Sequence, residues 1–120
     1  MADLTELIEE ARRLGTAIAE HPVAQAYAAA QQVVQGDDAT RALLSEYQSV
    51  AQRVQELTAQ QKPIEVDDKH KLSECERKLA GNDGFKALLR AEADYVDLMN
   101  RVNTAMQEPI AKARQDGEQR

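Results

Sequence analysis

The sequence predicts an all-α protein, a helical hairpin or bundle of about five helices in which two are long and coiled-coil-like. Three observations carry that expectation. Apolar residues recur every three or four positions along most of the 120-residue chain. Nothing in it reads as a strand. The breakers His21-Pro22, Gly36, Lys62-Pro63 and Ala80-Gly81-Asn82 cut it into helix-sized pieces.

The elements follow in order. Leu4, Leu7, Ile8, Ala11, Leu14 and Ile18 share one face of a first helix over residues 3–19. Asp3 followed by Glu6 fits a capping box with Asp in the Ser/Thr place. Pro22 suits the first turn of a second helix, about 22–35, because its missing N–H is not needed there. Its AQAYAAA run offers small side chains to an approaching helix, and Gly36 is expected to cap its end. In the third pattern Leu43, Tyr47, Val50, Val54 and Leu57 are spaced four, three, four and three apart, the a/d spacing of a heptad seam. That helix is placed at about 39–61. The connector KPIEVDD ends in Asp67 or Asp68, either of which is expected to cap a short fourth helix through Leu72, Cys75 and Leu79. The fifth, about 83–108, carries Phe85, Leu88, Tyr95, Met99, Val102 and Met106 at three/four spacing, interrupted by Glu92. Beyond Pro109 the rhythm fades. Residues 1–108 are expected to form a single helical domain and 109–120 a polar, flexible tail.

Residues 37–44, DDATRALL, nearly repeat as NDGFKALL at 82–89. Asp37-Asp38 and Asn82-Asp83 put short acceptor side chains where a first turn has unpaired N–H groups. A basic residue follows, Arg41 or Lys86, and Ala-Leu-Leu then begins the buried face. HPVAQAY at 21–27 is a looser third version. The repetition is read as the way these helices begin.

Composition narrows the function. Aromatics are 3% of the chain and many apolar residues are alanines, so the core must rest on leucines and valines, about 1.5–3 kcal/mol each when buried. Ordering the backbone costs about 1–2 kcal/mol per residue. A lone monomer is thinly supported by that balance, and a dimer or higher oligomer is expected. The net charge of −6 disfavours a general binder of nucleic acid or anionic membrane. The charge is uneven, because Lys69, Lys71, Arg77, Lys78, Lys86 and Arg90 make residues 69–90 basic. That cluster is either a solvated face or a docking surface for an acidic partner, including the acidic N-terminal stretch of a second subunit. The opening lacks a signal peptide's apolar run and no segment reaches a membrane span of about 20 apolar residues. A cytoplasmic protein is expected.

Catalytic chemistry finds little footing. His70, Glu74 and Cys75 are close in sequence, but His70 and Glu74 one turn apart supply only two ligands, so no metal site is assigned. Cys75, the sole cysteine, lacks an identifiable activating base and reads as a small buried residue. The five glycines are scattered and form no phosphate loop. No catalytic residue and no cofactor is expected. The candidate sites are interaction sites: an oligomer seam of Leu43, Tyr47, Val50, Val54 and Leu57 with Leu88, Tyr95, Met99, Val102 and Met106; a polar register contact at Glu92 and Asn103, with Arg53, Arg101 or another subunit's arginine as partner to Glu92; and the basic cluster.

The runs HPVAQAYAAAQQVV, DDATRALLSEYQSV and NDGFKALLRAEADYVDLMNRVN together resemble the YlbF/YmcA family of small bacterial helical proteins, over about residues 5–108. The last long helix matches its pattern at Ala91, Glu92, Tyr95, Leu98 or Met99, Val102 and Asn103. The resemblance implies regulation: helical homo- or hetero-oligomers, some of which act with a third protein as a cofactor of an RNA-degrading endonuclease and affect competence, biofilm formation and sporulation. Those members are associated with iron–sulfur clusters held by cysteines. This chain departs there, since a cluster wants four thiolates and Cys75 stands alone. The expectation is a non-enzymatic adaptor or regulator, with an RNA-binding accessory protein using residues 69–90, or a chaperone-like holdase, as alternatives.

Overall fold

Residues 3–118 are described by a computed structural model. They form five α-helices: α1 (Leu4–Glu20), α2 (Pro22–Gln35), α3 (Asp38–Ala59), α4 (Val66–Ala80) and α5 (Asp83–Glu118). No strand occurs among the described residues.

Local chemistry accounts for most of the boundaries. Asp3 Oδ1 accepts from the Glu6 N–H at 2.9 Å and starts α1. His21 takes extended dihedrals, as a residue before proline should, and its Nδ1 accepts from the Val23 N–H at 3.1 Å. The imidazole thereby caps α2. Gly36 ends α2 as expected, its N–H donating to Gln32 O at 2.9 Å, but without a positive φ. That conformation falls instead to Gln61, φ 58°, after α3. Lys62 N–H donates to Leu57 O at 2.9 Å and Gln61 N–H to Thr58 O at 3.1 Å, the paired bonds of a Schellman end.

Two boundaries differ from expectation. Neither Asp67 nor Asp68 caps α4; Glu65 takes the N-cap place without a side-chain bond, and both aspartates lie in the first turn, where the helix dipole favours acids. The fifth helix runs past Pro109 to Glu118, about ten residues beyond the predicted end. Pro109 removes one backbone bond to Ala105 and strains that turn. Its successors are mostly Ala, Lys, Arg, Gln and Glu, which hold helix without any packing. The missing apolar rhythm reported a lack of burial and not a lack of helix.

The chain partitions into two compact units, Ala28–Arg90 and Met1–Tyr27 with Ala91–Arg120. In the first, α3 and α4 pack as a hairpin, and all five buried residues of the described chain lie here: Val34, Cys75, Leu79, Thr40 and Asp68. Arg53 on α3 holds Asp68 on α4, Nε to Oδ2 at 3.2 Å. The angle misses hydrogen-bond geometry, which leaves Oδ2 without a directional partner, so the contact is chiefly charge on charge. Asp68 is 6% exposed and Arg53 58%. Removing the arginine would strand a buried carboxylate, whereas neutralising the acid would not. Arg53→Ala is therefore expected to lower stability by about 1–2 kcal/mol, discounted for the solvated arginine, and Asp68→Asn by less. Urea unfolding of the two variants checks the order.

The second unit has no buried residue among those described. Tyr27 and Tyr95 stack within it, ring centroids 5.1 Å apart at 30°. Ile18, Val23, Leu98, Met99 and Val102 are half-buried. Leu4 is 73% and Leu7 58% exposed, with Ile8 and Leu14 exposed beside them. Among the described residues the first two turns of this apolar stripe stay largely uncovered.

Candidate functional site

The residues singled out in the sequence lie on helix faces of differing exposure. The predicted seam is distributed unevenly. Leu43, Tyr47, Val50, Val54 and Leu57 on α3 are all half-buried, as are Leu88, Tyr95, Met99 and Val102 on α5, while Met106 is exposed. Glu92 and Asn103 are exposed. The arginines weighed as partners for Glu92 are engaged elsewhere, Arg53 with Glu65 and Asp68, and Arg101 with Asp97 at 3.4 Å.

The basic cluster lies entirely in the Ala28–Arg90 unit, on α4 and the first two turns of α5. All six side chains are exposed. Lys78 pairs with Glu74 at 3.4 Å; among the described residues the other five have no ion-pair partner. Beside Lys86 and Arg90 in the chain, Tyr47 from α3, Glu76, Leu79 and Ala80 from α4, and Phe85 and Leu89 from α5 line an open groove of ≈ 210 Å³. The groove is mainly apolar, and Leu89 is 50% exposed at its edge.

Sequence periodicity picked Leu88 for the α5 seam and passed over its neighbour Leu89. The signal was present, since Phe85 and Leu89 are four apart and must share a face. Val96, also exposed, extends that face by two turns. One stripe was read on a helix that carries two.

The helix starts that repeat in sequence are joined in space. Asp37 accepts from the Ala39 N–H at 3.2 Å to open α3, and Asn82 Oδ1 accepts from the Phe85 N–H at 2.8 Å to open α5. Between them sits Thr40, 1% exposed. Its hydroxyl donates to Asp37 Oδ2 at 2.6 Å and accepts from Asn82 Nδ2 at 2.9 Å. The two caps thus form one hydrogen-bonded chain that fixes how α3 and α5 begin. The Thr40 hydroxyl, more than any other cause, holds the Asp37 carboxyl below its ordinary value of 3.8; burial works against it, and the Ala39 and Thr40 backbone N–H groups assist.

Cys75 is buried, and its burial together with the Glu46 carboxylate raises the thiol above its usual range. That is the environment of an inert core cysteine. Among the described residues no group of three or more His, Cys, Asp and Glu side chains is placed to share a metal. No helix of the described chain is long and apolar enough to cross a membrane.

Comparison with known proteins agrees with the all-helical fold. The family described as "Control of competence regulator ComK, YlbF/YmcA" matches residues 7–111. A UPF0342 protein of Desulfitobacterium hafniense (strain Y51) is 24% identical over 106 residues, covering 88% of this chain and 81% of its own. A chain in the crystal structure of Bacillus subtilis RicA in complex with RicF superposes with a TM-score of 0.78 at 18% identity, over 92% of this chain and 98% of that one. A protein of unknown function (DUF964) from Bacillus stearothermophilus gives a TM-score of 0.68 at 18% identity, over 90% and 95%. At such identities the two structures speak for the fold alone.

Proposed function

The chain belongs to the YlbF/YmcA family, and from that premise we propose that it is a non-enzymatic, cytoplasmic regulatory adaptor that works through helix-mediated self-association and contacts with a protein partner. One observation carries the reading. The unit Met1–Tyr27 with Ala91–Arg120 buries none of its described residues, although α1 is cleanly amphipathic. Such a stripe gains stability only by losing its water, at about 25 cal/mol per Å² covered. The most economical cover for it is another helix, in the helix-in-groove mode of recognition.

Two further facts support the reading. The family's description is one of control of a regulator, and the solved relative with the higher TM-score is a complex of two proteins. The largely apolar groove beside Lys86 and Arg90, unpaired among the described residues, is suited to a protein surface with an acidic edge. A nucleic acid would meet a chain of net charge −6 and a groove without a row of aromatic platforms.

Light scattering on the eluting protein at several loading concentrations tests the proposal. A mass of two or more chains that falls on dilution is expected. A single-chain mass at every concentration would remove its physical basis.

A further inference from the structure

Two surfaces of this chain are complementary in polarity and in charge. The first is α1, whose 17 residues extend about 25 Å. Leu4, Leu7, Ile8, Ala11 and Leu14 set anchors at the three- and four-residue intervals that a groove-bound helix uses. Glu6 and Glu10 run along one edge of that stripe, and neither has an ion-pair partner among the described residues. The second is the groove lined by Tyr47, Glu76, Leu79, Ala80, Phe85 and Leu89, in which Glu76 on the α4 side is the one carboxylate. Lys86 and Arg90 each follow a groove residue by one position, about 100° round α5, and so stand along its rim. They too are unpaired among the described residues.

We propose that α1 of one copy lies in this basic-rimmed groove of a second copy, with Glu6 and Glu10 facing Lys86 and Arg90, and that the exchange is reciprocal. The proposal rests on the self-association argued above and specifies its contact. Reciprocity follows from size. One helix in one groove makes a small interface, whereas a two-fold pair repeats the contact and moves toward the roughly 1,200 Å² total that stable complexes need. The charges set register and orientation, and the leucines supply most of the affinity. The acidic helix and the basic rim also explain how a chain of net charge −6 avoids repelling its own copy at the point of contact.

Single-cysteine exchange tests this on the full chain. A Leu7→Cys protein is mixed with a Leu89→Cys protein under mild oxidation; Cys75 is buried and stays out of the reaction. Both substituted positions are at least half exposed, so the fold is preserved, and circular dichroism verifies it. The mixed disulfide should dominate over either homodimer. In parallel, Lys86→Glu with Arg90→Glu should weaken association at least tenfold, Glu6→Lys with Glu10→Lys should do the same, and combining the reversed chains should restore it. If the wild type associates but the mixed disulfide does not form and charge reversal changes nothing, the docking is overturned while self-association stands. A Leu7→Cys/Leu89→Cys chain that closes a disulfide within itself at high dilution would make the occupant its own helix and overturn it equally. If Lys86→Glu/Arg90→Glu abolished retention of a polyanion and left the mass unchanged, the rim would serve a different ligand and the proposal would fail. A wild type that is monomeric throughout would remove the self-association itself.

Discussion

Replacing Leu4 and Leu7 by glutamate is expected to convert the proposed assembly to single chains and to leave the helices intact. These side chains are 73% and 58% exposed in one copy, so the substitutions disturb no packing within it. Glutamate in the first turns of a helix is favourable to the dipole, which guards against a trivial loss of α1. What changes is the covered state. Each leucine loses roughly 1–2 kcal/mol of burial. In a symmetric pair four leucines are affected, so the dissociation constant should rise by about a thousandfold or more at 1.4 kcal/mol per factor of ten. Light scattering reads the mass and circular dichroism the helix content. Unchanged mass with unchanged helicity would show that α1 is not part of the contact.

Thr40→Val should be among the most damaging single changes within the chain. Valine keeps the shape of threonine and removes the hydroxyl that both donates to Asp37 and accepts from Asn82. The Asn82 amide is then left part-buried without its acceptor, at a cost of about 2 kcal/mol and a melting temperature lower by roughly 5–10 °C. Adding Asn82→Ala should cost less in the valine background than alone, because the relay is already broken; a coupling of at least about 0.5 kcal/mol is expected from a double-mutant cycle. The pH dependence has a definite sign. A carboxyl whose folded pKa is depressed stabilises the fold above its unfolded value and loses that contribution as pH falls through the folded value. Asp37 is depressed chiefly by Thr40, so the gap between wild type and Thr40→Val should narrow as pH drops below 3.8.

Much of this architecture is legible in the sequence. Apolar periodicity and the Gly and Pro breaks locate all five helices, and the caps at Asp3, Asp37 and Asn82 are where short acceptor side chains stand before an apolar face. The family resemblance, seen in the order of three helix starts, holds over residues 7–111. What the sequence does not disclose is tertiary. Nothing in DDATRALL announces that its threonine will accept from an asparagine 42 residues away. Asp68 reads as a cap because caps and buried ion-pair members draw on the same residue type, and only the position of Arg53 tells them apart. The fading apolar rhythm places the end of the fifth helix near residue 108, yet it runs to Glu118, because the pattern records which faces are buried, whereas exposed helix needs only propensity. For α1 the stripe itself was plain; that it stays open to water in one copy was not.

The central claim is that a single copy leaves a foldable but uncovered surface which a second one completes. Following the thermal unfolding of the wild-type chain across a wide dilution series tests it most directly, since an assembly that stabilises the fold makes its midpoint depend on concentration. The account predicts a melting temperature that climbs steadily with protein concentration and converges, on dilution, with that of the Leu4→Glu/Leu7→Glu variant. A midpoint that stays fixed across the series, with wild type and variant melting alike at every concentration, would contradict it.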